Sequence, residues 1–508
     1  MTEGGRTGGH WLPGRIVGLA ILTAVPTSLP AQASPLARAL DARLDAAPFN
    51  RQFWGVAVLD DRGRMLYARN AERLFIPAIT AKIAVTAVAA ARLPANWTVR
   101  TSVYGTGPVR DGVLGGDLVL YGRGDPTWSR RCYAADTTQA GACESDPAWA
   151  LRRLADSLRV RGLRTVVGDI VGDGSWLEPP LVHPAWENYD LNWWYAAPVT
   201  GLGINDNAVD ITWAPGPAVG APAAIVLAPP YAPVTLENRT TTVAGDTGTT
   251  IDFFRDPGTL LIRAVGRVAL TGRGRTEYFA LPDPSYYAAA AFRVALADAG
   301  ITVRGGPRSV FDSLALATAR AGTPLAEVSS RPASDWIFPV LNTSQNWFAE
   351  MLIKQLGRQF GRAGTWREGL EVERRFLIDS LHLDSTQFAL VDGSGLAGSN
   401  LMTPLALARI LDGIRRHPRG ATFLAALPRA GGRGSLSRRF GGTPADGRVL
   451  AKPGSIARVN ALAGFLELER GRTVTFAVLA NHHGLAGTAV AGQIDTLIVA
   501  LARQLTPR

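Results

Sequence analysis

The sequence predicts an α/β (α+β) fold: one layered domain assembled from both ends of the chain, with a large, mostly β segment inserted between them. Three observations carry this reading. A strand–turn–strand pattern stands near each end, at 54–68 and at 460–480. An amphipathic helical pattern closes the chain at 486–505. Between the two ends, residues 94–307 have a different texture, with short apolar runs broken by glycine and proline.

Taken in order, Arg6 and Arg15 precede an apolar run from Ile16 to Val25, and Ala31-Gln32-Ala33 follows as a small-residue cleavage site. Residues 1–33 therefore predict a secretory signal, cleaved near Ala33, and a periplasmic or otherwise extracytoplasmic protein. No other stretch holds the roughly 18 uncharged apolar residues of a membrane span, and no cysteine stands at the cleavage site to carry a lipid. Trp54 to Asp60 reads as a buried strand, Asp61-Arg62-Gly63 as a turn and Arg64 to Ala68 as the returning strand. Pro77 opens an unbroken alanine- and valine-rich helix from Ile79 to Leu93. In the inserted segment, Gly115–Thr127, Val166–Asp173 and Val209–Pro215 are the clearest strands. From Asp335 to Arg416 the pattern is helical, most clearly at Asn346–Phe360 and Trp366–Leu381. Asn460–Leu468, the turn Arg470-Gly471-Arg472, Thr473–Ala480 and a helix over Ala486–Leu505 complete the chain. The expected domains are thus 34–93 with 308–508, and 94–307.

The charge composition narrows the partners. A net charge of +11 favours anionic surfaces, lipid headgroups in peripheral contact or cell-wall polymers. The arginines are scattered and no basic run is interleaved with aromatics, which excludes nucleic acid. The six histidines lack ligand spacing, so no metal is expected, and no cofactor motif is present. Cys132 and Cys143 share one polar stretch; in an oxidising compartment that fits a local disulfide, with two free thiols as the alternative.

Within that charge lies a sharper signal. Only three of the 53 basic residues are lysine: Lys82, Lys354 and Lys452. An ammonium gives up its proton when desolvated and then acts as a base, whereas a guanidinium does not. Lys82 ends the run Pro77-Ala78-Ile79-Thr80-Ala81-Lys82, where a serine three residues before the lysine would share its helix face. Ile79 holds that position, and Thr80 points about 200° away around the helix. Ser344-Gln345-Asn346 enters a helix, where a hydroxyl and an amide two apart can share one cleft; a plain N-cap by Ser344 is the bland alternative. Lys452-Pro453-Gly454-Ser455 lies on a strand just before the C-terminal hairpin, suited to pairing with a peptide while the cation holds a carboxylate. Pro453 supplies neither hydroxyl nor N–H, and an edge strand tolerates it.

In this order, the three motifs resemble the penicillin-binding proteins of the D-alanyl-D-alanine carboxypeptidase/endopeptidase type, in the branch with a large insertion. Gly116-Asp117-Leu118-Val119-Leu120-Tyr121-Gly122-Arg123-Gly124-Asp125-Pro126-Thr127, Tyr195-Ala196-Ala197-Pro198-Val199 and Asp392-Gly393-Ser394-Gly395-Leu396 extend the resemblance over nearly the whole mature chain. It implies a penicillin-binding/β-lactamase-like transpeptidase domain. Lys82 is then the base, Ser344 and Asn346 the second wall, Lys452 the carboxylate anchor, and Gly454 and Ser455 part of the substrate strand. The backbone N–H groups of 79 and 455 become the oxyanion hole. The implied partners are peptidoglycan peptide stems, and β-lactams held non-covalently.

Two departures stand out, Ile79 for the nucleophilic serine and Pro453 for threonine. Loss of the nucleophile of a serine hydrolase costs on the order of 10⁶ in turnover, so catalysis is expected to be impaired. The alternative is a working DD-peptidase that uses another serine, with Ser344, Ser394, Ser435 and Ser455 as candidates. An α/β-hydrolase elbow is excluded, because Ser394 has Asp392 where the first glycine belongs.

Overall fold

The computed structural model describes residues 34–138, 143–245 and 247–506. The signal segment expected at 1–33 lies outside the described residues. Strands β1 (Phe53–Leu59) and β2 (Met65–Arg69) form the N-terminal hairpin, and β3 (Val449–Ile456), β4 (Val459–Glu467) and β5 (Thr473–Asn481) form the C-terminal meander. They join in one antiparallel sheet in the order β2-β1-β5-β4-β3, so the two ends of the sequence meet along the β1–β5 ladder, Phe53 opposite Asn481 and Leu59 opposite Thr475.

Both faces of this sheet are covered, which is why its strands read as nearly continuous apolar runs. Side chains alternate across a strand. Trp54, Val56 and Val58 face a core shared with Leu36, Leu40 and Leu44 of helix α1 (Pro35–Leu44) and with Ile494, Leu497 and Leu501 of the terminal helix Gly487–Leu505. Ala57, Leu59, Ala463, Ala477 and Leu479 face the larger core on the other side. That core is built around helix α2 (Lys82–Arg92), buried at every position except Arg92. Helices α3 (Asn346–Phe360), α4 (Trp366–Arg375) and α5 (Pro404–Arg416) pack with it. Small residues in α2 let its neighbouring helices approach closely; a bulkier run would force them apart.

The middle of the chain is mostly β, as its texture predicts, with helices packed on its sheets. Its five-stranded sheet has the order 307–310, 170–173, 118–121, 100–105, 326–329, and smaller sheets flank it. Two long helices, Trp149–Val160 and Pro284–Asp298, cover that core. The second opens on Asp283-Pro284, a capping residue followed by proline at the first helical position, and Asp283 accepts the Tyr286 N–H at 2.9 Å. Strand pairing also carries the segment's sheet to Ser329, beyond the boundary at 307 that glycine and proline texture marks. A disulfide joins Cys132 to Cys143. Next to it Tyr133 packs edge-on against Phe348 of α3, with ring centroids 4.9 Å apart.

Candidate active site

The site forms where the start of α2, the start of α3 and the free half of β3 converge. Residues 78–81 form a short 3₁₀ turn leading into α2, entered through Ala78 at φ 48°. An alanine in the left-handed region is uncommon, and Gly395 holds it there by close approach: a Cβ on Gly395 would stand 2.0 Å from the Ala78 carbonyl oxygen. Ile79 follows, half-buried, and lines a cavity of about 430 Å³ together with Ile76, Glu187, Asp190, Tyr195, Asn346 and Ser455.

Lys82 lies behind Ile79, fully buried. Its Nζ donates to Asn346 Oδ1 at 2.6 Å and to the Ser394 carbonyl at 2.8 Å. Burial pulls its pKa down to about 7, against the opposing fields of Glu350 and Asp392. Asn346 in turn donates through Nδ2 to the Tyr195 carbonyl at 3.0 Å, tying α3 to the cavity wall. Ser344 does not cap α3; Gln345 occupies the cap position, and Ser344 sits at φ 67° with its hydroxyl turned to Lys452. Lys452 Nζ donates to Ser344 Oγ at 2.8 Å and to the Pro453 carbonyl at 2.8 Å. Its burial, followed by the charge of Lys82, holds it well below the usual lysine range.

Strand β3 is an edge strand, and its outer edge is used unevenly. Ala451 donates outward to the Pro428 carbonyl, and Val449 accepts outward from Ala430. Antiparallel ladders alternate, so the backbone nitrogen of Pro453 and the N–H of Ser455 face the same free side. Proline at 453 therefore costs no ladder bond, and Ser455 keeps an outward N–H beside the turn that carries Ile79. Gly454 is what allows the approach: a Cβ there would meet the backbone nitrogens of Thr80 and Ile79 at 2.8 and 3.0 Å.

Of the other serines, Ser394 is fully buried and its Oγ accepts from the Leu396 N–H at 3.2 Å, while Ser435 and Ser455 are exposed. Behind the site stands a buried carboxylate that sequence reasoning passed over. Glu350 accepts the Trp366 indole N–H at 2.7 Å, the Gly393 N–H at 3.0 Å and the Ser394 N–H at 2.7 Å. It thereby fixes the loop whose carbonyl holds Lys82. Burial, then the charge of Asp392, pushes its pKa up to about 7, while the three hydrogen bonds oppose the rise. The available signal was spacing: Glu350 lies four residues after Asn346, one turn further along α3. Among the described residues no group of three or more His, Cys, Asp or Glu side chains is placed to share a metal ion.

The model of the D-Ala-D-Ala carboxypeptidase 3 (S13) family matches residues 36–505. The chain belongs to this family. Its relatives include the D-alanyl-D-alanine carboxypeptidase of Actinomadura sp. (strain R39), 29% identical over 98% of this chain and 92% of that one. A carboxypeptidase of Mycolicibacterium smegmatis is 27% identical over 94% of this chain and 86% of its own length. The crystal structure of penicillin binding protein 4 from Haemophilus influenzae superposes with a TM-score of 0.78 at 22% identity, covering 92% of this chain and 99% of that one. This last likeness establishes the transpeptidase-type fold. In this S13 chain Lys82 bonds Asn346 and Lys452 bonds Ser344, Asn346 and Ser455 line one cavity with Ile79, and the side chain at the head of α2 is a hydrocarbon.

Proposed function

We propose that this chain is a peptidoglycan-directed member of the family that keeps a cleft for D-alanyl-D-alanine peptide stems and has lost the nucleophile that would cleave them. The observation that carries the reading is Ile79, facing the cavity at the head of α2 with Lys82 buried behind it and no hydroxyl for that amine to deprotonate. The wall residues Ser344 and Asn346, the anchor Lys452 and the outward edge at Gly454 and Ser455 support ligand binding without turnover. The Actinomadura relative's name supports the substrate class. Residue 79 and residue 455 would still offer backbone N–H groups to a bound carbonyl, a role that needs no particular side chain. β-Lactams are then reversible ligands. The signal predicted at 1–33 supports a mature protein outside the cytoplasm, facing cell-wall polymer; no helix among the described residues is long and apolar enough to cross a membrane.

The test is labelling by fluorescent penicillin, and peptidoglycan hydrolysis, by the purified protein beside Ile79→Ser. A covalent label and hydrolysis only in the variant support the reading. Hydrolysis by the unaltered protein equal to that of the variant, with peptide mapping that finds the label on Ser344, Ser394, Ser435 or Ser455, replaces it with the second-nucleophile reading.

A further inference from the structure

Lysine 354 reads from sequence as decoration on the helix after Ser344, yet it is fully buried. It lies seven and eight residues after Trp347 and Asn346, which puts all three on one face of α3. That face grips a single stretch of chain. Asn346 Nδ2 donates to the Tyr195 carbonyl at 3.0 Å and Trp347 Nε1 to the Pro198 carbonyl at 3.1 Å. Lys354 Nζ donates to the carbonyls of Glu178 at 2.9 Å, Pro180 at 2.8 Å and Val199 at 3.2 Å.

We infer that Lys354 is a positioning residue that closes the base of the 178–199 segment and so sets the wall of the ligand cleft. Its three carbonyl partners come from both ends of the segment, which are also bridged by the Val199 N–H to the Leu181 carbonyl at 2.6 Å. Between those ends lie Glu187, Asp190 and Tyr195, the segment's contribution to the cavity beside Ile79. The segment has little regular structure to hold its own shape, only the short 3₁₀ turns Asp190–Asn192 and Trp194–Ala196. Its middle is tied by single contacts, such as Trp186 Nε1 to Asp392 Oδ2 at 3.0 Å.

The geometry explains why lysine stands here. An ammonium has three donors spread tetrahedrally, and three carbonyls use all of them. The Trp366 ring of α4 also packs against the ammonium, its centroid 4.0 Å from Nζ. A planar guanidinium has its donors in one plane and needs more room. Removing the ammonium leaves three carbonyls at the base of the segment without this donor, a loss large enough to speed local opening by at least about tenfold.

Hydrogen–deuterium exchange by mass spectrometry on the full chain tests this, with Lys354→Met and Lys354→Arg beside the unaltered protein. Peptides within 181–198 are expected to exchange at least about tenfold faster in Lys354→Met, and faster by a smaller factor in Lys354→Arg, while β4 and β5 keep their protection. Unchanged exchange over 181–198 overturns the inference; acceleration spread equally over the central sheet does so too, because it makes Lys354 a general core ion. If Lys354→Met does not fold, Lys354→Arg decides alone: local acceleration supports the inference and wild-type exchange overturns it. One further arm rests on the proposed function. In an Ile79→Ser background, Lys354→Arg should raise the penicillin concentration needed for half-maximal labelling and leave the limiting rate in place; an equal fall in rate with no change in concentration dependence also overturns the inference. Absence of labelling in Ile79→Ser itself sinks the functional proposal instead, and the exchange arm still decides this one.

Discussion

Substituting Ile79 by serine should restore acylation, and the structure sets how the restored rate depends on pH. The new hydroxyl would stand three residues before Lys82 on the same face of the turn, with a buried amine whose pKa is lowered to about 7. Only the neutral amine accepts the serine proton. With a pKa near 7, about a tenth of it is neutral at pH 6, about half at pH 7 and about nine-tenths at pH 8. The labelling rate of the variant should therefore rise about tenfold from pH 6 to pH 8 and level off above. Its ceiling relative to the unaltered chain is on the order of 10⁶, the worth of a nucleophile in such a site. Ile79 is half-buried, so the substitution costs only about 1–2 kcal/mol of stability and the variant folds. The assay is the second-order rate of fluorescent-penicillin labelling over that pH range, with mass mapping of the labelled peptide. A flat profile refutes Lys82 as the base, and equal labelling of the unaltered protein refutes the role given to residue 79.

Three further outcomes follow from the same geometry. Glu350→Leu orphans the Trp366, Gly393 and Ser394 N–H groups and should cost roughly 3–6 kcal/mol, read as a fall in the urea midpoint; a loss under about 1 kcal/mol rejects the role of that carboxylate. Lys82→Met should flatten part of the pH dependence of stability. The amine's pKa is about 7 folded and 10.5 unfolded, so as pH falls from 9.5 to 7.5 the unfolded chain takes up a proton that the folded chain refuses. The unaltered protein should lose about 2.5 kcal/mol to this group over that interval and the variant should not; identical slopes in urea titrations at the two pH values exclude the depressed pKa. Gly395→Ala combines φ 79° with a Cβ placed 2.0 Å from the Ala78 carbonyl, and should lower stability by at least about 2 kcal/mol and abolish labelling in the Ile79→Ser background. Unchanged thermal unfolding would show that the 78–81 turn does not depend on that approach.

What was legible in the sequence had a local cause. The β1–β2 and β4–β5 hairpins announce themselves through alternation and turn residues, and the meeting of the two ends follows from sheets needing partners. Lys82 and Lys452 were visible because lysine is scarce and each stands in a short motif. Two kinds of feature were hidden. The helix at Pro284–Asp298 is nearly apolar around its circumference, so no amphipathic stripe marked it. Glu350 and Lys354 take their meaning from backbone groups 43 to 176 residues away, the Gly393–Ser394 amides and the Glu178 and Val199 carbonyls, and no periodicity in α3 encodes those. Pro453 read correctly as harmless to the sheet, because an outward-facing edge position has no ladder bond to lose.

All three lysines of the chain are fully buried, so its positively charged exterior is made of guanidinium alone. A folded molecule of this kind offers no side-chain amine to an activated ester, an aldehyde fixative or a lysine-directed ligase. Such reagents would reach Lys82, Lys354 and Lys452 only through opening of the core, which makes their modification a clock for that opening. An isotopic label placed on lysine would, for the same reason, report on three interior positions of the cleft and on nothing at the surface.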